Sequence, residues 1–225
     1  MNISVILTGG IGKRMSLDIP KQFIQIDGIE VFVYTIKAFL DNQNINRCVL
    51  VINSSFKDEY DEILRKHNLI DKVEICFGGE TRQESSFNAI KYLKDNGAKE
   101  DDVILIHDGA RPLVDNNIIN QNISLCNNDT VVSTVVPMVD TLVDKDYNVI
   151  DRNSVFGVQT PQTFMFKNAF VMHEVASKDG ILNASDDIQL AKRLSLNVAF
   201  AKGSRRNVKI TTLEDIYLLE SYLRK

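Results

Sequence analysis

Short runs of β-branched and aliphatic residues alternate with longer segments of helical periodicity over most of this chain. Strict alternation of strand and helix needs crossover connections, so it indicates an α/β fold with a mostly parallel sheet covered by helices on both faces. Ligands of such sheets bind at the carboxyl ends of the strands. The predicted strands are Ile3–Leu7, Arg47–Ile52, Val73–Cys76, Asp102–Ile106 and Thr130–Val136. The predicted helices between them are Val31–Leu40, Lys57–His67, Gln83–Asn96 and Asn116–Cys126.

The alternation breaks after Val136. Asp140–Asp144 and Asn148–Asp151 flank the polar turn Lys145–Tyr147, which predicts a β-hairpin. An isolated hairpin with so little apolar content is marginal in water. We therefore expect this arm, at about residues 139–157, to protrude and to be held by a second subunit, the alternative being a hairpin folded flat on its own domain. The remaining predicted elements are the helices Lys167–Ala176, Asp186–Leu194 and Thr212–Leu223 and the strand Val198–Ala201.

Composition narrows the class of protein. The 225 residues contain no linker rich in proline, glycine or serine, so one domain spanning residues 1–225 is predicted. A net charge of −4 argues against a nucleic-acid partner bound by phosphate neutralisation. The three cysteines are widely spaced and indicate a reducing compartment. A signal-peptide pattern and an apolar run of roughly 18 residues are both absent, so we expect a cytoplasmic protein with no membrane partner.

The first predicted strand runs into a glycine-rich, basic loop. Gly9, Gly10 and Gly12 are followed by Arg14 and Lys21. Backbone N–H groups without a covering side chain, close to cations at the end of a strand, can hold a polyphosphate. The spacing matches neither the Walker pattern nor the dinucleotide fingerprint. A tight turn between strand and helix is the alternative, and the basic residues favour the phosphate site.

Two further motifs follow strands. Residues 78–85 read GGETRQES. The glycines allow close approach of a ligand and Ser85 offers a hydroxyl, which favours a base or phosphate pocket. The alternative is a helix entry with a capping serine. Residues 107–112 read HDGARP. Asp108 suits a magnesium ion or a ribose hydroxyl, and Arg111 can pair with that carboxylate or with phosphate. A structural Asp–Arg pair is the alternative there.

Three weaker patterns lie in the last third of the chain. Residues 159–162, QTPQ, offer two amides and the hydroxyl of Thr160 to a polar ligand. Residues 185–187, SDD, are typical of a helix N-cap or of a hydroxyl-plus-carboxylate site. Lys209 lies in a predicted strand over residues 207–212, NVKITT. A lysine in a buried strand is costly unless it is paired, so a phosphate partner is expected, with a surface edge position as the alternative.

In this order and at these spacings, the motifs resemble those of the cytidylyltransferases that make CDP-activated sugar alcohols. The resemblance covers nearly the whole chain and rests on GGIGKRM and PKQF from residue 9, GGxxRxxS from 78, HDxxRP from 107, TPQ from 160 and NxKIT from 207. It implies a Rossmann-like, three-layer nucleotidyltransferase fold. The implied substrates are CTP and a polyol phosphate, and the implied cofactor is Mg²⁺.

The resemblance also implies roles for individual residues. Those implied to be catalytic are Arg14, Lys21 and Lys209, the first two on the triphosphate and the last at the α-phosphate. Those implied to bind the nucleotide are Thr8, Gly9, Gly10, Gly12, Gly79, Ser85, Asp108 and Gly109, with Asp108 also facing the metal. Those implied to bind the second substrate are Arg111, Arg152, Thr160 and Ser185. Family members are usually homodimers with embracing arms, so Arg152 is expected to serve the partner's active site.

The family has two close branches, one acting on methylerythritol phosphate in isoprenoid synthesis and one on ribitol 5-phosphate for cell-wall or capsule polymers. The start of the loop at Thr8 and the apolar Val143 of the arm resemble the ribitol branch. HDGARP and the paired Asp186 and Asp187 resemble the methylerythritol branch. We expect ribitol 5-phosphate to be preferred, with methylerythritol phosphate as the alternative. A non-catalytic nucleotide-binding subunit is a third, less favoured hypothesis.

Overall fold

The computed structural model describes residues 1–9 and 20–223, and of Lys21 it describes the backbone alone. The predictions for Gly10, Gly12, Arg14 and the Lys21 side chain therefore lie outside the described residues. The described strands are β1 (Asn2–Leu7), β2 (Gln25–Ile26), β3 (Ile29–Glu30), β4 (Arg47–Ile52), β5 (Glu74–Phe77), β6 (Val103–Asp108), β7 (Thr130–Pro137), β8 (Leu142–Val143), β9 (Val149–Ile150), β10 (Phe156–Met165) and β11 (Asn197–Lys202).

The described α-helices lie between and after these strands. They are α1 (Val31–Leu40), α2 (Lys57–Lys66), α3 (Arg82–Asp95), α4 (Asn116–Leu125), α5 (Phe166–Lys178), α6 (Ile188–Lys192) and α7 (Leu213–Leu223). None of the helices in the described part of the chain is long and apolar enough to cross a bilayer.

One seven-stranded sheet organises the molecule, with strand order β11-β7-β10-β6-β1-β4-β5. Every neighbouring pair is parallel except those made by β10, which runs antiparallel to both β6 and β7. The predicted mostly parallel α/β sheet is thus confirmed. Leu7 at the end of β1 is in register with Asp108 at the end of β6. This register brings the first glycine loop beside the HDGARP motif.

Helices cover both faces of the sheet. One buried cluster joins the sheet to α3, α5 and α6, and the other joins it to α1, α2 and α4. Successive residues of β1 pack on opposite faces of the sheet, since Val5 lies in the first cluster and Ile6 in the second. A strand buried on both faces reads as a continuous apolar run rather than as an alternating one. This is why the central strands are recognisable in the sequence.

One predicted strand is wrong, and one strand of the seven-stranded sheet was not predicted. Residues 207–212 form no strand; the segment is irregular, and the Ile210 N–H donates to the Ala110 carbonyl at 2.8 Å, next to the end of β6. Strand β10 was not predicted, and its Gly157 and Pro161 are residues that are unfavourable inside a central strand. It tolerates the proline through a shift of register between Gln159 and Gln162. Irregularities of this kind re-aim side chains near functional sites.

The predicted hairpin is present in a shorter form. Strand β8 pairs with β9 in a two-stranded sheet separate from the main one. Tyr147 in its turn adopts a φ of 64° and is 81% exposed. Val149 at the far strand is 71% exposed. The hairpin thus leaves apolar side chains in solvent, and its association with a second subunit stays a prediction.

Candidate active site

A polar cleft of about 240 Å³ lies at the carboxyl end of β6. It is lined from β6, β10, the first residue of α3, the segment before α6 and the irregular segment before α7. The lining residues are Arg82, Asp108, Arg111, Val158, Gln159, Thr160, Gln162, Ser185, Asp186 and Lys209. Five predicted site residues, Asp108, Arg111, Thr160, Ser185 and Lys209, are therefore brought together in one cleft.

Asp108 is the electrostatic centre of this cleft. Its carboxylate lies 2.8 Å from Lys209 Nζ, 3.4 Å from Arg111 Nε and 3.7 Å from Arg82 Nε. Burial by itself would raise the pKa of Asp108, but the charges of Lys209, Arg82 and Arg111 outweigh it and hold that pKa well below its usual range. One ionised carboxylate thus fixes three cations around a space that an anion can enter.

A buried hydrogen-bond chain fixes the backbone of Asp108. The Asp108 N–H donates to Thr160 Oγ1 at 3.1 Å, and His107 Nδ1 lies 3.1 Å from the same hydroxyl. His107 Nε2 lies 3.1 Å from the Arg111 carbonyl, which can only accept, so Nε2 carries the proton and Nδ1 accepts from Thr160. The Thr160 hydroxyl is therefore engaged by the protein as donor and as acceptor. Its predicted contact with a substrate phosphate stays a prediction.

The ends of β1 and β6 approach each other closely beside the cleft. A Cβ atom on Gly109 would collide with Thr8 Cγ2 and would lie 3.1 Å from the Leu7 carbonyl oxygen. The Thr8 hydroxyl donates to the Val51 carbonyl at 2.8 Å, which ties the end of β1 to β4. Gly109 is thus required by packing, and it brings the two strand ends together where a ligand is expected.

The second glycine motif forms a compact loop at the start of α3. The Gly79 N–H donates to Ser85 Oγ at 3.1 Å, and a Cβ atom on Gly78 would lie 2.8 Å from the same oxygen. A Cβ on Gly9 would come within 3.8 Å of Ser85 Oγ, so the two glycine loops adjoin. Thr81, and not Ser85, caps α3, because its hydroxyl accepts from the Glu84 N–H at 3.0 Å. The capping alternative for Ser85 is therefore wrong.

Not all of the residues predicted to bind the second substrate lie in this cleft. Ser185 lines the cleft, and its hydroxyl accepts from Gln189 Nε2 at 2.7 Å. Arg152, in contrast, is exposed on the arm, where its Nη1 donates to the Val139 carbonyl at 3.0 Å. Arg152 is not among the residues that line this cleft. Its predicted role in a partner's site stays a prediction.

Arg82 was not singled out as a candidate, and Asp187 was considered only as part of the SDD pattern. Arg82 Nη1 lies 2.6 Å from Asp187 Oδ2, and the Asp187 side chain is only 1% exposed. Arg82 stands inside the quoted GGxxRxxS pattern, and Asp187 is the second acid of SDD. The first acid, Asp186, accepts from the Gln189 N–H at 3.1 Å near the start of α6. The SDD pattern therefore supplies both a helix-capping group and a buried ion pair.

The donor set of the cleft limits how it could hold a metal ion. In the described ranges, 1–9 and 20–223, no group of three or more His, Cys, Asp or Glu side chains could hold one. Mg²⁺ is commonly bound through one or two carboxylates together with substrate phosphates. Asp108 offers one carboxylate, already in contact with Lys209. These residues fit an ion that arrives with a polyphosphate rather than one caged by protein ligands.

Known proteins are similar to this chain over nearly its whole length. The family model described as "IspD: 2-C-methyl-D-erythritol 4-phosphate cytidylyltransferase" matches residues 2–225. The chain is 37% identical to the 2-C-methyl-D-erythritol 4-phosphate cytidylyltransferase of Thermosipho melanesiensis over 223 residues, covering 97% of this chain and 96% of that protein. It is 30% identical to the ribitol-5-phosphate cytidylyltransferase of Lacticaseibacillus paracasei over 235 residues, covering 100% and 99% of the two chains.

A solved structure shares the fold over its full extent. The crystal structure of 4-diphosphocytidyl-2C-methyl-D-erythritol synthase from Anaerococcus prevotii superposes with a TM-score of 0.81 at 27% sequence identity. The match covers 100% of this chain and 96% of that one.

Proposed function

This chain belongs to the 2-C-methyl-D-erythritol 4-phosphate cytidylyltransferase family of CTP-dependent enzymes, and on this premise we propose that it transfers CMP from CTP to 2-C-methyl-D-erythritol 4-phosphate. The products would be a CDP-linked alditol and pyrophosphate. The preference for ribitol 5-phosphate drawn from the sequence alone is not supported, because the relative named for methylerythritol phosphate is more similar than the one named for ribitol phosphate.

The observation that carries the proposal is the set of cations around Asp108. Lys209, Arg111 and Arg82 surround one carboxylate at the carboxyl end of a central strand. Transfer of a nucleotidyl group brings two anions together at the α-phosphorus, so its main requirement is positioning and neutralisation of charge. Cations already fixed before the ligands arrive meet that requirement without reorganisation.

The reaction needs no nucleophilic or basic side chain. The attacking phosphate monoester has a second pKa of about 6, so it is largely dianionic at neutral pH. Its oxygen would form a bond to the α-phosphorus while the bond from that phosphorus to the bridging oxygen breaks, and the electron pair leaves with pyrophosphate. Lys209 would neutralise the α-phosphate. Arg14 and Lys21 would hold the triphosphate, as the resemblance implies.

Mg²⁺ stays a proposed cofactor. When bound with the triphosphate, it would supply further neutralisation of the phosphate charge. Asp108 is the residue of the cleft that would contact it, and its Oδ1 is not the oxygen that Lys209 contacts. Association of two chains through the arm at about residues 139–157 likewise stays a proposal.

The branch-specific residues are divided between the cleft, the end of β1 and the arm. HDGARP contributes Asp108 and Arg111 to the cleft, and Asp186 also lines it. Val143, which favours ribitol phosphate, pairs with Val149 in the arm and does not line this cleft. Thr8, which also favours ribitol phosphate, adjoins Gly109 beside the cleft, so the choice of methylerythritol phosphate rests on the more similar relatives.

We expect kcat/KM with CTP to be higher for methylerythritol phosphate than for ribitol 5-phosphate by about 100-fold, within the range by which enzymes separate substrates that differ by one small group. Release of pyrophosphate, measured with each purified polyol phosphate, tests this ratio. A higher value for ribitol 5-phosphate would instead support the second candidate, which the Lacticaseibacillus paracasei relative suggests. No release with either substrate would contradict the proposed reaction.

Selection of the base provides a smaller test. Ser85→Ala removes the hydroxyl that accepts from the Gly79 N–H, so the loop proposed to bind cytosine should loosen. We expect the preference for CTP over UTP to fall by about 0.5–1.5 kcal/mol, the net worth of one neutral hydrogen bond. Ser86→Ala is the matched control, since Ser86 is equally buried and its hydroxyl has no hydrogen-bond partner within the described residues. Equal CTP/UTP ratios in the two variants would place base selection elsewhere.

A further inference from the structure

The ion pair between Arg82 and Asp187 spans two parts of the chain that meet behind the cleft. Arg82 is the first residue of α3, and Asp187 directly precedes α6. The contact of 2.6 Å uses Arg82 Nη1, while Arg82 Nε faces Asp108 at 3.7 Å. A guanidinium carries five N–H donors, so these two contacts leave donors for a ligand. Arg82 itself lines the cleft and is 23% exposed.

Asp187 has defined polar neighbours on its buried side. Its N–H donates to Gln162 Oε1 at 3.0 Å, and its Oδ1 lies 3.4 Å from His173 Nε2. The His173 ring is itself stacked on Phe87 of α3, with an interplanar angle of 7°. Burial alone would raise the pKa of Asp187, but Arg82 and then His173 outweigh it and hold that pKa below its usual range. Asp187 is therefore a fixed anion placed behind a cation that faces the cleft.

This carboxylate has no role in capping α6. Asp187 makes no capping hydrogen bond with its side chain, whereas Asp186 accepts from the Gln189 N–H. Burying a carboxylate is costly, and replacing a buried ion pair by apolar residues is often neutral or stabilising. Stability alone therefore gives no reason for an acid at this position.

Removal of the Asp187 charge would leave Asp108 and, with a weaker influence, Asp186 as the carboxylates that attract Arg82. Arg82 would then be drawn the remaining distance toward Asp108, which already contacts Lys209 and Arg111. It would crowd the cations that the reaction is proposed to use, and it would withdraw from the side of the cleft formed by Ser185. The charge of Asp187 thus opposes collapse of Arg82 onto Asp108.

On the basis of the proposed function, we propose that Asp187 is a positioning residue that holds Arg82 in the cleft as a contact for the phosphate of the polyol substrate. Arg82 lies in the same cleft as Thr160 and Ser185, the residues expected to meet that phosphate. Asp187 does not reach the ligand itself, since its side chain is 1% exposed. Its effect passes through Arg82.

The test is a double-mutant cycle with Asp187→Asn and Arg82→Met. Each single variant is expected to raise KM for methylerythritol phosphate about 10- to 100-fold, by analogy with the loss seen when a group that orients a metal ligand is removed. KM for CTP is expected to stay unchanged. The double variant is expected to be no worse than Arg82→Met alone, because Asp187 acts through Arg82. Additive losses, or equal changes in both KM values, would overturn the proposal.

Asp179→Asn is the matched control. It removes an aspartate from the exposed pair that Asp179 forms with Arg193 at 3.0 Å, in the same region of the chain. We expect normal KM values from it. If Asp187→Asn does not fold, Arg82→Lys decides the matter, since it retains the charge opposite Asp187 but lacks the forked guanidinium. A normal KM for methylerythritol phosphate in Arg82→Lys would contradict the proposal.

A binding measurement separates this inference from the proposed reaction. Inorganic phosphate is expected to raise the thermal unfolding temperature of the unaltered protein and of Asp179→Asn, but to raise it less in Asp187→Asn and Arg82→Met. Absence of turnover with both polyol phosphates would refute the proposed function while leaving this measurement valid. The role of Asp187 would be refuted if inorganic phosphate did not raise the unfolding temperature of the unaltered protein. It would also be refuted if the rise were equal in all variants.

Discussion

Replacing Lys209 by alanine is expected to lower kcat by about 10²–10³, equivalent to about 2.7–4 kcal/mol, by analogy with the loss of one preorganised donor to a developing charge. Lys209 is already fixed 2.8 Å from Asp108, at the place where the α-phosphate is proposed to react. An interaction realised mainly in the transition state lowers kcat when it is removed, with little change in KM. Steady-state rates of pyrophosphate release measure this effect.

The matched control is Lys202→Ala, which removes an exposed lysine at the end of β11, a strand at the edge of the sheet. We expect that control to have normal kcat. The same loss is expected for Lys21→Ala, on the strength of the resemblance. A Lys209→Ala variant with near-normal kcat would remove Lys209 from the mechanism, whatever the result for Lys21.

The stability of the folded protein is expected to fall by about 3 kcal/mol between pH 6.5 and pH 4 through the titration of His107. Burial of His107 lowers its pKa to about 4 from an ordinary value of 6.5. In this range the unfolded chain takes up a proton that the folded protein does not, so falling pH favours unfolding. Below pH 4 both states carry the proton, and His107 adds no further change.

Urea unfolding at several pH values measures this slope, with His107→Gln as the comparison because glutamine does not titrate. We expect a smaller slope between pH 6.5 and 4 for the variant than for the unaltered protein. Asp108 and Asp187 contribute in a different range, since their lowered pKa values give stability that is lost only below their ordinary value of 3.8. Equal slopes in the two proteins would contradict a neutral, buried His107.

Much of the fold could be predicted because its signals are local. Helix Val31–Leu40 and strand Arg47–Ile52 match the predicted bounds to the residue. The strand is buried on both faces and so appears as an unbroken apolar run. The buried residues of the helix recur with helical spacing within its ten residues. Strands that are joined through a helix run parallel in the same sheet, so the alternation implies a parallel sheet without knowledge of any contact.

Part of the site could be predicted for a related reason. Parallel strands present their carboxyl ends at the same edge, so motifs that follow such strands meet there. Asp108 ends β6 and Arg111 follows it closely, and the structure brings both into one cleft with Thr160 and Ser185. The identity of the polyol could not be inferred this way. Val143 favoured ribitol 5-phosphate in the sequence analysis, although it lies in the arm and does not line this cleft.

The sequence by itself determined the alternation of strands and helices, the glycine positions and the kinds of charged groups available to a phosphate. Only the tertiary structure decided that β10 inserts antiparallel between β6 and β7, and that Lys209 reaches Asp108 from an irregular segment. It also decided that Arg82 pairs with Asp187, which is 105 residues away along the chain. The physical reason is that periodicity and turn chemistry act between near neighbours, whereas these contacts depend on how distant elements pack.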